Sequence, residues 1–179
     1  MLKLEVTLTE ADLKKVALKA VELIKKRTAS GKDAKGSAFK KYSERWFARP
    51  AGGITRSKMK LLSNEAKRSN DNVVFFKTKA GKSWLLINGY KKFKSIVYPD
   101  EFQGGTVNLR ATGDMLDGLG YINADSKAMK FTLGWVDTEL AERAFFNEEK
   151  GRSLLGLTDD EISILNDFAA NLANISFKQ

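Results

Sequence analysis

Residues 120–135 read Gly-Tyr-Ile-Asn-Ala-Asp-Ser-Lys-Ala-Met-Lys-Phe-Thr-Leu-Gly-Trp. In the second half, Met129, Phe131, Leu133 and Trp135 alternate with Lys130, Thr132 and Gly134. A period of two puts the four apolar side chains on one side of an extended strand, the pattern of a sheet with one covered face. Gly120 to Asn123 supplies the partner strand, and Ala124-Asp125-Ser126-Lys127 the turn. Upstream, 72–78 and 83–88 are rich in Val, Phe, Trp, Leu and Ile and are joined by Lys79-Ala80-Gly81-Lys82, a second antiparallel hairpin.

Outward from these hairpins the periodicity turns helical. Leu13, Val16, Ala17, Ala20, Leu23 and Ile24 recur on one face of a long helix that starts at Thr9, with Asp12 three positions on, and ends near Ser30-Gly31. Thr158 and Glu161 form a capping box before a last helix striped by Leu165, Phe168, Ala169, Leu172 and Ala173. Asp159, Asp160 and Glu161 lie at its positive end. Shorter helices are expected at Tyr90–Val97, stopped by Pro99, and at 114–119 and 138–147. The expected fold is α+β: one antiparallel sheet of about four strands flanked by long N- and C-terminal helices. The 179 residues fit a single domain, 1–179.

Between the first helix and the first hairpin, 31–72 loses periodicity. Gly31, Gly36, Gly52, Gly53 and Pro50 punctuate a strongly basic stretch, read as an extended basic arm, although 58–68 has a helical composition. Charge is segregated along the chain. Residues 1–70 hold 18 Lys/Arg against 7 Asp/Glu, 71–135 hold 9 against 6, and 136–179 hold 4 against 9, out of a net +9. Opposite-sign ends favour head-to-tail packing between copies.

No histidine and no cysteine occur, which excludes disulfides, thiolate zinc sites, cysteine nucleophiles and histidine acid–base chemistry. Asp114 with Asp117, and the cluster Asp159, Asp160 and Glu161, are the carboxylate sets able to hold magnesium or run hydrolysis. Both lie at helix starts, where the helix dipole accounts for them. A non-enzymatic protein is expected, with no catalytic residues, cofactor or metal. No run of about 18 apolar residues occurs, so no membrane partner is expected. Within 32–60, Lys40, Lys41, Arg45, Arg49, Arg56, Lys58 and Lys60 interleave with Phe39, Tyr42, Trp46 and Phe47, residue types suited to phosphate attraction and base stacking. A nucleic-acid-binding module is therefore the alternative reading.

Three stretches, in this order, resemble the tailed-bacteriophage virion morphogenesis or tail completion proteins. Residues 86–94 (Leu-Ile-Asn-Gly-Tyr-Lys-Lys-Phe-Lys) are similar to that family's Gly-Tyr then basic helix. Residues 107–116 (Val-Asn-Leu-Arg-Ala-Thr-Gly-Asp-Met-Leu) are similar to its leucine strand end, Thr-Gly and short Met-Leu helix. Residues 148–161 resemble its Gly-Arg, Leu-Gly-Leu, acidic-helix pattern, and 36–42 its glycine-phenylalanine-tyrosine arm. The resemblance implies a structural subunit of the head-tail junction or tail end, a ring, most often a hexamer, between a connector or stopper and the tail tube. It implies a virion protein made in the host cytoplasm, with DNA passing through the ring as a further contact. Candidate interface residues are Phe39, Tyr42, Arg45, Trp46, Tyr90, Thr112, Gly113, Met115, Leu116 and Arg152. Met115 and Leu116 suit either core packing or ring contact, and Arg152 can pair with Glu148 or Glu149 of its own chain or a neighbour.

Overall fold

The computed structural model describes residues 3–69, 71–100, 102, 107–109 and 113–178. They are α+β and fall into two compact units. The larger comprises Met1–Phe39 with Asn108–Gln179, and the smaller, Lys40–Val107, is inserted between its halves. Among the described residues the smaller unit holds one buried hydrophobic cluster and the larger unit three.

In the larger unit, β1 (Lys3–Thr7) leads into α1 (Glu10–Ala29). The expected capping box closes the start of α1: Asp12 N donates to Thr9 Oγ1 at 3.2 Å, and Asp12 accepts from the Thr9 backbone N–H. The Thr9 hydroxyl, and secondarily Lys15, hold the Asp12 carboxyl below the usual carboxylate range. The stripe of α1 is buried at Leu13, Val16, Ala17, Ala20, Val21 and Ile24. It packs against two partners. One is the hairpin that, on this unit, follows the 40–107 insertion, residues 120–125 and 130–134; the other is the C-terminal helix over 159–172, through Leu165, Phe168, Ala169 and Leu172.

In the inserted unit, β2 (Trp46–Pro50) is followed by α2 (Arg56–Arg68), β3 (Val73–Lys77), β4 (Ser83–Asn88) and α3 (Tyr90–Val97). The sheet order is β2-β4-β3, antiparallel throughout. Leu62 of α2 and Phe93 and Val97 of α3 close a core over Val73, Leu85 and Ile87. Back in the larger unit come α4 (Asp114–Asp117), β5 (Gly120–Asp125), β6 (Lys130–Gly134), α5 (Thr138–Glu149), α6 (Asp159–Leu172) and β7 (Asn174–Lys178). β7 pairs antiparallel with β1, and β5 with β6.

The single four-stranded sheet is replaced by three separate sheets among the described residues. Paired with β3, β4 takes β2 on its other edge, and the two hairpins belong to different compact units, so each sits in a sheet of its own. The segment expected as an extended arm holds regular structure in part, including the helix that the composition of 58–68 suggested. Residues 32–38 fold into a tight turn, with Asp33 Oδ1 accepting from the N–H groups of Lys35 and Ser37 at 2.9 Å each, while 46–50 is a strand and 56–68 a helix. The segment 31–72 is thus divided between the two units.

Candidate interaction surface

The two units differ sharply in charge. Lys40–Val107 holds 15 Lys/Arg against 5 Asp/Glu, or +10, and the remainder holds 16 against 17, or −1. The entire net charge of +9 is therefore carried by the insertion.

Register assigns the two faces of the inserted sheet. Phe47, Ile87 and Val73 stand in one row and Arg49, Leu85 and Phe75 in the next, on the side where α2 and α3 pack, although Phe75 stays 40% exposed there. The opposite side presents Trp46 beside Asn88, then Ala48, Leu86 and Val74, then Pro50, Trp84 and Phe76. Trp46 is 44% exposed and Phe76 41%. The Phe76 and Trp84 rings lie 6.5 Å apart and tilted by 31°. Exposed Arg45 precedes Trp46 in the chain, and exposed Lys79 and Lys82 lie in the turn that joins β3 to β4 beyond Phe76 and Trp84. Pro50 is tolerated because β2 is an edge strand, where a missing N–H costs no ladder bond. An open sheet face with three aromatic side chains is a candidate interaction surface.

The covered side explains the Gly-Tyr element. Gly89 has φ +80°, and a Cβ there would stand 2.6 Å from Glu44 Cα and 2.8 Å from the Ser43 carbonyl oxygen, so only glycine lets the 43–44 segment lie across it. Tyr90 then packs 5.2 Å from Tyr42 and 5.8 Å from Phe93, centroid to centroid. Beneath them Lys94, fully buried, donates to the Tyr42 hydroxyl at 3.1 Å. Between α2 and α3, Glu65 accepts from Lys92 Nζ and from Asn72 Nδ2, each at 2.9 Å. Lys92 is the main cause of a Glu65 pKa below the ordinary carboxylate value.

In the larger unit the resembling stretches build scaffold. Gly113 takes φ +92° at the start of α4, and Met115 and Leu116 are buried with Ala144 and Leu154. Trp135 Nε1 donates to the Met115 carbonyl at 2.6 Å. Glu148 accepts from the N–H groups of Leu154 and Leu155 at 2.6 and 3.2 Å, so it fixes the Gly-Arg loop through its backbone. Arg152 is half-buried there, its N–H donating to the Asn147 carbonyl at 2.9 Å. The Leu-Gly-Leu turn is clamped by Arg27 of α1, which donates to the Leu154 carbonyl at 2.8 Å and the Gly156 carbonyl at 3.1 Å and pairs with buried Glu161.

Of the ten candidate interface residues, Tyr42 and Tyr90 come together, while Trp46 lies at the open face and Arg45 is exposed. Phe39, Tyr42, Met115 and Leu116 are buried within their own chain, so they anchor cores rather than present an arm. Thr112 lies outside the described residues. Among the described residues no group of three or more His, Cys, Asp or Glu side chains could hold a metal ion, and no helix is long and apolar enough to cross a membrane. Reading the sequence missed Phe76, Trp84, Leu86 and Val74. Their signal was there: 73–77 and 83–88 are apolar at both odd and even positions, the mark of a sheet apolar on both faces.

No protein-family model, curated protein or solved structure matches this chain.

Proposed function

We propose that this chain is a structural subunit of a tailed-phage head-tail junction or tail end, assembling as a ring between connector and tail tube. The observation that carries the reading is the order of the three resembling stretches. Each of them falls on a structural device: a glycine-gated aromatic core at Gly89-Tyr90, a left-handed turn into a buried Met115-Leu116, and the Arg27-clamped 154–161 turn. An inserted unit that carries +10 and an open aromatic face suits a subunit working by contact.

Coexpression with the connector and tail-tube proteins of the same genome tests this. Copurification and a cyclic oligomer by light scattering are expected. A chain that stays monomeric at high concentration and joins neither protein is not this component.

The second reading is a nucleic-acid-binding module, favoured by Trp46, Trp84 and Phe76 on one face of a unit of net +10. Aromatic platforms of this kind stack unpaired bases, and lysines at the rim neutralise phosphate. A steep loss of single-stranded DNA affinity with rising salt is its expected signature, and no binding at low salt removes it.

A further inference from the structure

A second surface of this chain has the character that the open sheet face lacks. On α5 the residues Glu142, Phe145, Phe146 and Glu149 follow the i, i+3, i+4, i+7 spacing of a single helix face, and all four are exposed. Phe145 is 65% exposed and Phe146 54%, while Ala144 turns inward onto Met115 and Leu116. The stripe is thus two phenylalanines between two carboxylates, in a C-terminal segment where acidic residues outnumber basic ones 9 to 4.

We infer that the α5 stripe of one copy docks on the open β2-β4-β3 face of the next, in a head-to-tail contact. The inference rests on the assembly reading above and names its contact. Three observations select a second copy as the occupant. The charges are complementary: Glu142 and Glu149 bracket the phenylalanines, and exposed Lys79 and Lys82 lie in the turn that joins β3 to β4 at the Phe76-Trp84 end of the aromatic face, on a unit of net +10. Dimensions agree as well. From Glu142 to Glu149 a helix rises about 10 Å, and the five-residue strand β2 runs about 13 Å. Three strands are about 10 Å across, which is the diameter of one helix. Finally, both surfaces are exposed and apolar in the same chain, and two different patches that fit each other generate rings or filaments rather than closed two-fold dimers. Lys150 stands over the Phe146 ring at 5.1 Å and must swing aside as the ring docks. A helix-on-sheet contact of this size is small for a stable pair, so closure of a ring, which gives every copy two such contacts, is what holds it.

The absence of cysteine gives a background-free test. Full-length Ala48→Cys, at the centre of β2 on the open face, is mixed with full-length Phe146→Cys under mild oxidation, with circular dichroism confirming that both are folded. The expected result is a mixed disulfide in at least about tenfold excess over either homodimer, abolished by adding Glu142→Lys and Glu149→Lys to the Phe146→Cys chain. The pair Leu86→Cys with Phe145→Cys repeats the measurement should Ala48→Cys misfold. If the wild-type chain forms rings or joins the connector while mixed and homodimeric disulfides form equally or not at all, the contact is overturned and the assembly reading stands. If neither ring, copurification nor mixed disulfide appears, both fall. Single-stranded DNA that quenches Trp84 fluorescence with no mixed disulfide assigns the face to nucleic acid and overturns the contact.

Discussion

Replacing Arg27 by Met should strip the larger unit of much of its stability, because the guanidinium is the hub of the 154–161 turn. The substitution keeps a similar length but leaves three acceptors without their donor: the carbonyls of Leu154 and Gly156 and the buried carboxylate of Glu161. Glu161 retains one bond, from Thr158 N at 2.9 Å. Breaking a buried pair at one end costs about 3–5 kcal/mol, since a charge is left in a low dielectric. That is a large share of the roughly 5–15 kcal/mol of a whole domain. With a urea slope of about 2 kcal/mol/M, the midpoint should fall by about 1.5–2.5 M. Trp135 is the reporter, because it packs with Leu154 and lies in the larger unit; Trp46 and Trp84 lie in the insertion and are replaced by Phe in the reference chain. The double variant Arg27→Met with Glu161→Leu, which removes both charges, should recover at least half of the loss. A midpoint shift under about 0.5 M for Arg27→Met, or a double variant as unstable as the sum of the singles, refutes the clamp.

Gly89→Ala should destabilise the inserted unit by about 2 kcal/mol or more, from the Cβ contact with Glu44 Cα at 2.6 Å and the strain of φ +80°, seen as a lowered unfolding midpoint by tryptophan fluorescence in a Trp135→Phe chain. Thr158→Ala removes the side-chain acceptor of Glu161 N and should cost about 1 kcal/mol in thermal unfolding, leaving the spectrum of the folded protein unchanged. Lys92 and Asn72 stabilise the ionised form of Glu65, so its folded pKa lies below its unfolded value. Its contribution is complete above the unfolded carboxylate range and disappears as pH falls through the lowered folded pKa. Glu65→Gln should therefore be less stable than wild type at pH 7 and close the gap on acidification; a gap unchanged down to pH 3 counts against it.

What the residues decide locally was legible without coordinates. The boxes at Thr9 and Thr158 start α1 and α6 because each cap pairs with a carboxylate three positions later, an interaction contained in four residues. The hairpin turns of β3-β4 and β5-β6 were legible for the same reason, although β5 runs through Asp125, further than the turn at 124–127 implied. What depended on distant partners was not. β2 carries Arg49 and Pro50, a poor strand signature, and exists because β4, more than thirty residues on, offers it an edge. Phe39 and Tyr42 suit base stacking or packing equally by residue type, and both are buried.

The candidate surface divides in the same way. Composition established that histidine and cysteine are absent, and the order of residues that positive charge leads the chain while negative charge ends it. Only the tertiary structure placed that positive charge on one inserted unit, and only strand register sorted Trp46, Trp84 and Phe76 onto the same uncovered face. The reason is physical: side-chain identity and spacing are properties of the chain, but which side of a sheet a helix covers is settled by long-range packing, and the side left over is the surface available for function.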